Sequence, residues 1–412
     1  MQTPMIVIEP TDSAIKIVVG YVVEHEPIVL YATIKSIHDL IKNGNIVDIK
    51  SLSNVLKNIS HVEDKRARVR FAIRSAVLLL PPVGLEIYED KKMTSVISND
   101  SKIQPIDLSN IFAMIRKSKI KKDNSFVDII PIVYYLSDGI ATNKLPLGRI
   151  SDYLGMKAII YTLPDKLFKG YKASLESAGI KVKKCVIAPC AIAHLLAHEK
   201  ETPAAYLYVD VGSTYTSISL ISKTYVYNSS YFAIGGDDLT NAISETFRID
   251  VKEAEKLKRR YGYQTRLISF NPTICNAKTS DGQEALYTVQ DLNRVIKDYL
   301  DNYIYAFDTC LSKLLSAYPE NKRNFPIIFG GAASRLDGFL TFVKTKYPNH
   351  DIRQIPLKIV GARHEKYLNC IGALLAASSY MGSSENNRLN NANNQSNLDK
   401  LSANKGANNG AR

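Results

Sequence analysis

Two stretches of this chain, about two hundred residues apart, share one pattern that decides the fold. The first reads IVIEPTDSAIKIVV at residues 6–19, and the second reads LYVDVGSTYTSISL at residues 207–220. Each predicts an apolar strand ending at an acid, a tight polar turn, and a second strand with alternating apolar residues. Two such hairpins facing each other would place two acids and two turns of backbone N–H groups around one cleft. That arrangement suits a nucleotide triphosphate with its metal ion.

Two glycine turns extend the pattern. Residues 325–328 predict a strand, and Gly330-Gly331-Ala332 follows it before a helical pattern. Gly235-Gly236-Asp237 likewise lies between a predicted strand and a predicted helix. Glycine has no Cβ, so the backbone of such a turn can come close to a ligand.

In this order the segments resemble the two phosphate turns and the adenosine turn of the actin-like ATPase superfamily. The run Phe247–Gly262, with its Ala-Glu pair and Tyr-Gly ending, is similar to that of the FtsA family of bacterial cell-division proteins. Gly44–Asp48 resembles the approach to that family's first long helix. The resemblance covers roughly residues 5–378 and is most specific in the second half.

The resemblance implies an α/β, actin-like fold of two ribonuclease-H-like lobes. The first lobe would carry an FtsA-type inserted subdomain and the second a helical insertion. The expected parts are the first lobe (1–85 and 161–200), the inserted subdomain (86–160), the second lobe (201–240 and 321–380), its insertion (241–320) and an Asn-rich, disordered tail (383–412).

The resemblance also implies ATP and Mg²⁺ as cofactors. Glu9 and Asp210 would hold the metal and act in catalysis. The expected nucleotide contacts are Thr11, Asp12, Ser13, Gly212, Ser213, Thr214, Gly235, Gly236, Glu255, Lys258, Gly330, Gly331 and Ala332. Other readings remain open: Asp210 as a strand-end cap, and Glu255 with Lys258 as an exposed ion pair on a helix.

The first turn departs from the family. Pro10 has no N–H to donate, and Thr11 stands where the family has glycine. Asp12 would bring a negative charge towards the phosphates. These changes predict weak ATP binding, slow hydrolysis, or a turn that points elsewhere, so the chain is expected to be a weak ATPase at most.

The net charge of +13 favours an anionic partner, with basic clusters at 65–70, 116–122 and 252–260. Anionic lipid or an acidic peptide would fit, and each cluster could equally be a solvated face. No nucleic-acid motif accompanies the charge, so nucleic acid is not expected. The resemblance implies binding of the FtsZ C-terminal peptide through 241–320, contact with other divisome proteins through 86–160, and self-association into filaments.

The resemblance places the protein at the inner face of the cell membrane at the division site. Five scattered cysteines without a CxxC pair indicate free thiols in a reducing cytoplasm. No signal peptide or apolar membrane span is apparent. The tail lacks the apolar stripe of an amphipathic anchor, so membrane contact is expected through basic patches.

Three alternatives remain. The chain could be another actin-like scaffold, similar to PilM or MreB. It could be a sugar kinase of the same superfold, although no catalytic Asp or sugar-binding residues are recognisable in the first lobe. It could also be a scaffold that works without nucleotide, which the Pro10–Asp12 turn favours.

Overall fold

A computed structural model describes residues 4–64, 69–197, 199–264, 271–278, 284–319, 321, 323–355 and 365–379. The chain divides into two compact units. One comprises Met1–Tyr88, Ile120–Asp128 and Tyr161–Leu374, and the other comprises Glu89–Lys119 and Ile129–Ile160 with the chain from Leu375 onward. Most of the basic cluster at 65–70, and the tail predicted to be disordered, lie outside the described residues.

The elements before residue 200 alternate between strands and helices. In chain order they are β1 (Met5–Pro10), β2 (Ala14–Val23), β3 (Glu26–Ser36), β4 (Ile41–Lys42), β5 (Asn45–Ile46), α1 (Ile49–Ile59), β6 (His61–Asp64), β7 (Val69–Ala72), β8 (Ser75–Leu80), β9 (Glu86–Ser95), α2 (Pro105–Ile115), β10 (Asn124–Leu136), β11 (Ala141–Thr142), β12 (Tyr153–Pro164), α3 (Asp165–Ser177), β13 (Lys181–Ile187) and α4 (Ala188–Leu196).

The elements after residue 200 repeat much of this order. They are β14 (Ala205–Val211), β15 (Thr216–Ser222), β16 (Tyr225–Phe232), α5 (Gly236–Phe247), α6 (Val251–Tyr261), β17 (Thr273–Lys278), β18 (Glu284–Thr288), α7 (Val289–Leu314), β19 (Ile327–Gly330), α8 (Phe339–Lys346) and β20 (Ile352–Gln354). A further helix, α9, covers residues 368–379. No helix within the described ranges is long and apolar enough to cross a membrane.

Two five-stranded sheets have the same topology. The first has the order β3-β2-β1-β8-β13, and the second has the order β16-β15-β14-β19-β20. In both, the first two pairings are antiparallel and the last two are parallel. The repeated order confirms the duplication that the two matching stretches predicted.

Side-chain caps fix where several helices begin. Asp48 accepts hydrogen bonds from Lys50 N (2.9 Å) and Ser51 N (3.2 Å) at the start of α1, and Asp250 accepts from Lys252 N (2.8 Å) at the start of α6. Thr288 and Asp291 form a capping box at α7. These bonds satisfy N–H groups that have no partner inside the helix.

An aromatic cluster forms the centre of the second lobe. Tyr303 and Phe307 of α7 are buried, as are Phe329 of β19 and Phe339 of α8. The ring centroids of Phe329 and Phe339 lie 5.5 Å apart, as do those of Tyr303 and Phe339. Packing of this kind fixes β19, and with it the glycine turn that follows.

Two expectations about the second lobe were wrong in detail. The region 241–320 is not purely helical, because β17 and β18 form an antiparallel hairpin within it. Tyr287 of this hairpin stacks on Phe247 of α5 with centroids 4.2 Å apart, so packing stabilises the strands. The strand expected at 325–328 is β19, which begins two residues later at Ile327.

The other unit contains a four-stranded sheet of order β11-β10-β12-β9 and the helix α2. The helix α2 is amphipathic. Leu108, Ile111 and Ile115 are buried at helical spacing, whereas Ala113 and Met114 are exposed. The assignment of 86–160 as an FtsA-type subdomain stays a prediction.

Candidate functional site

The two hairpin turns have the same backbone geometry. Thr11 N donates to Ala14 O at 2.8 Å in the first turn, and Gly212 N donates to Tyr215 O at 3.0 Å in the second. Each turn follows a strand-end acid, Glu9 or Asp210. The matching bonds show that the shared sequence pattern encodes one shared turn.

A buried charge cluster joins the two acids. Lys16 Nζ lies 2.9 Å from Glu9 Oε2. Asn369 Nδ2, on α9, donates to Glu9 Oε1 at 3.0 Å and to Asp210 Oδ2 at 3.3 Å. One amide therefore bridges the two carboxylates, which converge on a single point.

The protonation of this cluster follows from burial and charge. Burial, the largest single influence, would lower the pKa of Lys16, but the surrounding groups, chiefly the Glu9 carboxylate, together outweigh it and the pKa is raised, so the ammonium stays charged. Burial raises the pKa of Asp210, although Lys16 and the Asn369 hydrogen bond oppose this. The cluster thus holds a fixed cation beside an acid that burial disfavours as an anion.

Asp12 is held in place by bonds from two directions. Its carboxylate accepts hydrogen bonds from Gly44 N at 3.0 and 3.3 Å, and it also accepts the hydroxyl of Thr214 in the opposite turn. Tyr171 donates to Gly44 O at 3.0 Å and so supports that loop. Burial, the largest influence, raises the pKa of Asp12, and the Thr214 and Gly44 bonds oppose it.

The glycine turn after β19 tolerates no side chain. Gly331 has φ +82°, and a Cβ there would lie 2.4 Å from Asp210 Oδ1 and 2.4 Å from Val211 O. A Cβ on Gly330 would lie 2.2 Å from the Tyr208 hydroxyl oxygen. Both glycines are therefore required for this turn to approach the second hairpin.

The start of α5 is bonded to the second turn. Gly236 N donates to Gly212 O at 3.0 Å, and Asp237 N donates to Ser213 O at 2.7 Å. A Cβ on Gly235 would lie 2.4 Å from Ser213 O. The predicted glycine pair thus lets the helix begin against the hairpin.

Glu255 and Lys258 of α6 form a largely sheltered network rather than an exposed pair. Lys258 Nζ lies 2.5 Å from Glu255 Oε2 and donates to Gly236 O at 2.9 Å and to Thr240 Oγ1 at 2.6 Å. The Lys258 side chain is 12% exposed. Burial would raise the pKa of Glu255, but the bonds from Lys258 and Thr240 outweigh it and the pKa is lowered.

These elements line a cavity of about 570 Å³, a size typical of sites for small ligands and cofactors. Twelve of the predicted contacts and acids line it: Glu9, Thr11, Asp12, Ser13, Asp210, Gly212, Ser213, Gly236, Glu255, Lys258, Gly331 and Ala332. Thr214, Gly235 and Gly330 are not among the lining residues, and they act through the Asp12 bond and the close backbone packing described above.

Sequence reasoning missed Lys16 and Asn369. Lys16 interrupts an otherwise apolar strand and is the cross-strand partner of Glu9, so a charged residue there was a usable signal. Asn369 carried no local signal, since it lies 360 positions from Glu9. Within the described residues no cluster of three or more His, Cys, Asp or Glu side chains could hold a metal.

Two duplicated lobes around one cleft define an actin-like fold, and solved structures confirm it. A PilM–PilN type IV pilus biogenesis complex matches with a TM-score of 0.58 at 17% identity, covering 93% of this chain and 99% of the other. MreB 5 of Spiroplasma citri bound to AMPPNP matches with a TM-score of 0.53 at 13% identity, covering 94% and 99%.

Among proteins with this fold, the chain is similar to the bacterial cell division protein FtsA. The FtsA family model matches residues 207–384. FtsA of Streptococcus pneumoniae is 27% identical over 223 residues, which is 54% of this chain and 48% of that protein. FtsA of Bacillus subtilis is 20% identical over 336 residues, which is 81% of this chain and 74% of that protein. The chain spans about half the length of the first relatives it matches, and the predicted resemblance to FtsA is confirmed.

Proposed function

We propose that this chain is an actin-like protein of bacterial cell division that binds ATP with Mg²⁺ in its cleft. It hydrolyses ATP slowly at most and assembles into filaments. The observation that carries the proposal is the cavity between two matched hairpin turns and a glycine turn, in a chain related to FtsA.

The residues of the cleft fit a magnesium nucleotide. Glu9 and Asp210 present converging carboxylate oxygens, the ligands that Mg²⁺ prefers. Mg²⁺ when bound neutralises charge on the phosphates. Lys16 adds a fixed cation, and the N–H groups of Ser213 and Thr214, which donate to no acceptor within the described residues, are available for phosphate oxygens.

Calorimetry with ATP, with and without Mg²⁺, tests nucleotide binding. Ala332→Glu places bulk and charge on an exposed residue of the cavity wall, and it avoids the backbone clash that any side chain would cause at Gly331. Ala113→Glu makes the same change on an exposed residue of α2 and serves as the control.

We expect micromolar binding that weakens without Mg²⁺. Ala332→Glu should weaken it by about tenfold or more, whereas Ala113→Glu should not change it. Absence of binding in the parent chain would leave the scaffold that works without nucleotide as the better proposal.

The same proposal assigns the FtsZ C-terminal peptide to the region 241–320. The hollow between α5 and α7 is lined by Asp238, Asp291 and Asp298 with Arg294, so its charge does not suit an acidic peptide. The exposed face of α6 suits an acidic peptide, because the basic residues Lys252, Lys256 and Arg260 recur on it at four-residue spacing. We therefore place the peptide on α6.

A pull-down with an acidic FtsZ tail peptide tests this contact. Lys252→Glu with Lys256→Glu should abolish capture. Arg116→Glu with Lys117→Glu is the matched control, since it makes the same charge change at two exposed residues after α2. Equal capture by both variants would remove α6 from the proposal.

The remaining parts of the proposal rest on the resemblance to FtsA. They are contact with other divisome proteins through 86–160, the role of that region as the inserted subdomain, and peripheral membrane contact through basic patches at the division site. Sedimentation of the pure protein with and without anionic vesicles measures filament formation and membrane contact separately.

A further inference from the structure

We infer that Asp12 makes the cleft select a nucleoside diphosphate over the corresponding triphosphate. This inference rests on the proposed nucleotide site and adds which phosphate chain it accepts. It starts from the Asp12 side chain, which bonds to Thr214 of the second hairpin turn.

Two positions of the first turn offer no free N–H group to a phosphate. Pro10 carries no N–H, and the Thr11 N–H is used by Ala14 O at 2.8 Å. The Thr11 hydroxyl also donates to Ala14 O, at 2.8 Å. The Ser13 N–H, which donates to no acceptor within the described residues, remains, and it follows directly after the Asp12 carboxylate.

The first turn also carries an anion that cannot swing away freely. Asp12 is 8% exposed and lines the cavity. Two bonds to Gly44 N hold its carboxylate, and the Thr214 hydroxyl approaches it from the other turn. Side chains therefore bridge the space between the two turns, and the Asp12 carboxylate gives that space a negative charge.

The second turn offers the opposite environment. Ser213 and Thr214 have no charge, and their N–H groups are available. Gly212 brings the backbone close, and Gly331 lies against Asp210 and Val211. A short phosphate chain can be held on this side alone. A third phosphate has to enter the space between the turns, displace the Thr214 contact and lie beside Asp12, where like charges repel.

Calorimetry of the full chain with ADP and ATP, each with Mg²⁺, tests the inference. The parent should bind ADP about tenfold more tightly than ATP. Asp12→Asn keeps the shape and removes the charge, and Asp12→Ser copies Ser213 of the second turn. Both should bring ATP to within about threefold of ADP with little change for ADP. Asp152→Gly, which removes a charge from an exposed residue, should leave the ratio unchanged.

The possible outcomes distinguish failure of the inference from failure of the proposed function. Equal binding of ADP and ATP by the parent, or an unchanged ratio in both folded Asp12 variants, overturns the inference and leaves the nucleotide site intact. Failure of every variant to bind either nucleotide overturns the proposed function and the inference with it. Circular dichroism melting checks that each variant is folded.

Discussion

The two hairpins place different side chains on the same backbone. Glu9 pairs across its hairpin with Lys16, whereas Asp210 pairs across its hairpin with Ser217. Asp12 occupies the turn position that Ser213 occupies in the second copy. The first hairpin has thus concentrated charge, and the second has kept small neutral groups. A duplicated turn can therefore keep its hydrogen bonds while its electrostatics diverge.

The largest difference in stability between the two hairpins should appear when the Lys16 side chain is replaced. Lys16→Met leaves two buried carboxylates without their cation, and we expect the free energy of unfolding to fall by about 3–5 kcal/mol. Ser217→Ala, at the equivalent position, should cost about 1 kcal/mol or less. Urea denaturation measures both. Adding Glu9→Gln to Lys16→Met should recover part of the loss, and no recovery would mean that packing rather than charge stabilises this pair.

Exchanging the turn residues is the next test. Gly212→Thr should destabilise the fold by about 1–3 kcal/mol, because a Cβ at Gly212 would lie 2.8 Å from Tyr215 O. The reciprocal Thr11→Gly should cost only about 0.5–1 kcal/mol. Thermal melting compares the two variants. Equal effects on stability would show that the two turns tolerate the same residues, and would contradict the difference between the hairpins.

Asn369 tests how evenly the two hairpins share one donor. Asn369→Ala should lower stability by about 1–2 kcal/mol, since its amide bonds two carboxylates. A double-mutant cycle with Glu9→Gln should give a larger coupling energy than one with Asp210→Asn, because the Glu9 bond is shorter. A larger coupling energy with Asp210→Asn would mean that the Asn369 amide bonds mainly to the second hairpin.

The smallest expected effect is a pH dependence of nucleotide affinity that comes from Asp12 in the first turn. Burial raises the pKa of Asp12, so its carboxyl takes up a proton at a higher pH than an ordinary aspartate. Asp237, Tyr171 and Tyr215 are the other titratable groups close to it. Lowering the pH from about 8 to about 5.5 should raise the affinity for ATP relative to ADP. In Asp12→Asn the ratio of the ATP and ADP affinities should not change with pH. An equal change with pH in that variant would mean that titration of the nucleotide, and not of Asp12, causes the effect.

Local patterns predicted the fold well. The alternation in both hairpins and the strand–glycine–helix turns depend on neighbouring residues, and these appear where expected. The hairpin within 241–320 was missed because packing of Tyr287 on Phe247 stabilises it. Such contacts between distant residues leave no periodic pattern.

The site was only partly readable for the same reason. The acids and glycines were predicted from their spacing. The role of Asp12 depends on Gly44 and Thr214, which lie 32 and 202 positions away. The sequence therefore indicated that the first turn is altered, but not that its aspartate binds the opposite turn.

The amide that joins the two acids also sets an order of events during synthesis. Glu9 leaves the ribosome 360 positions before Asn369. At about 5–20 residues per second, the first strand waits roughly 20–70 s for this partner. Synthesis of α9 therefore completes this contact: a nascent chain has both hairpins well before it has the side chain that joins them.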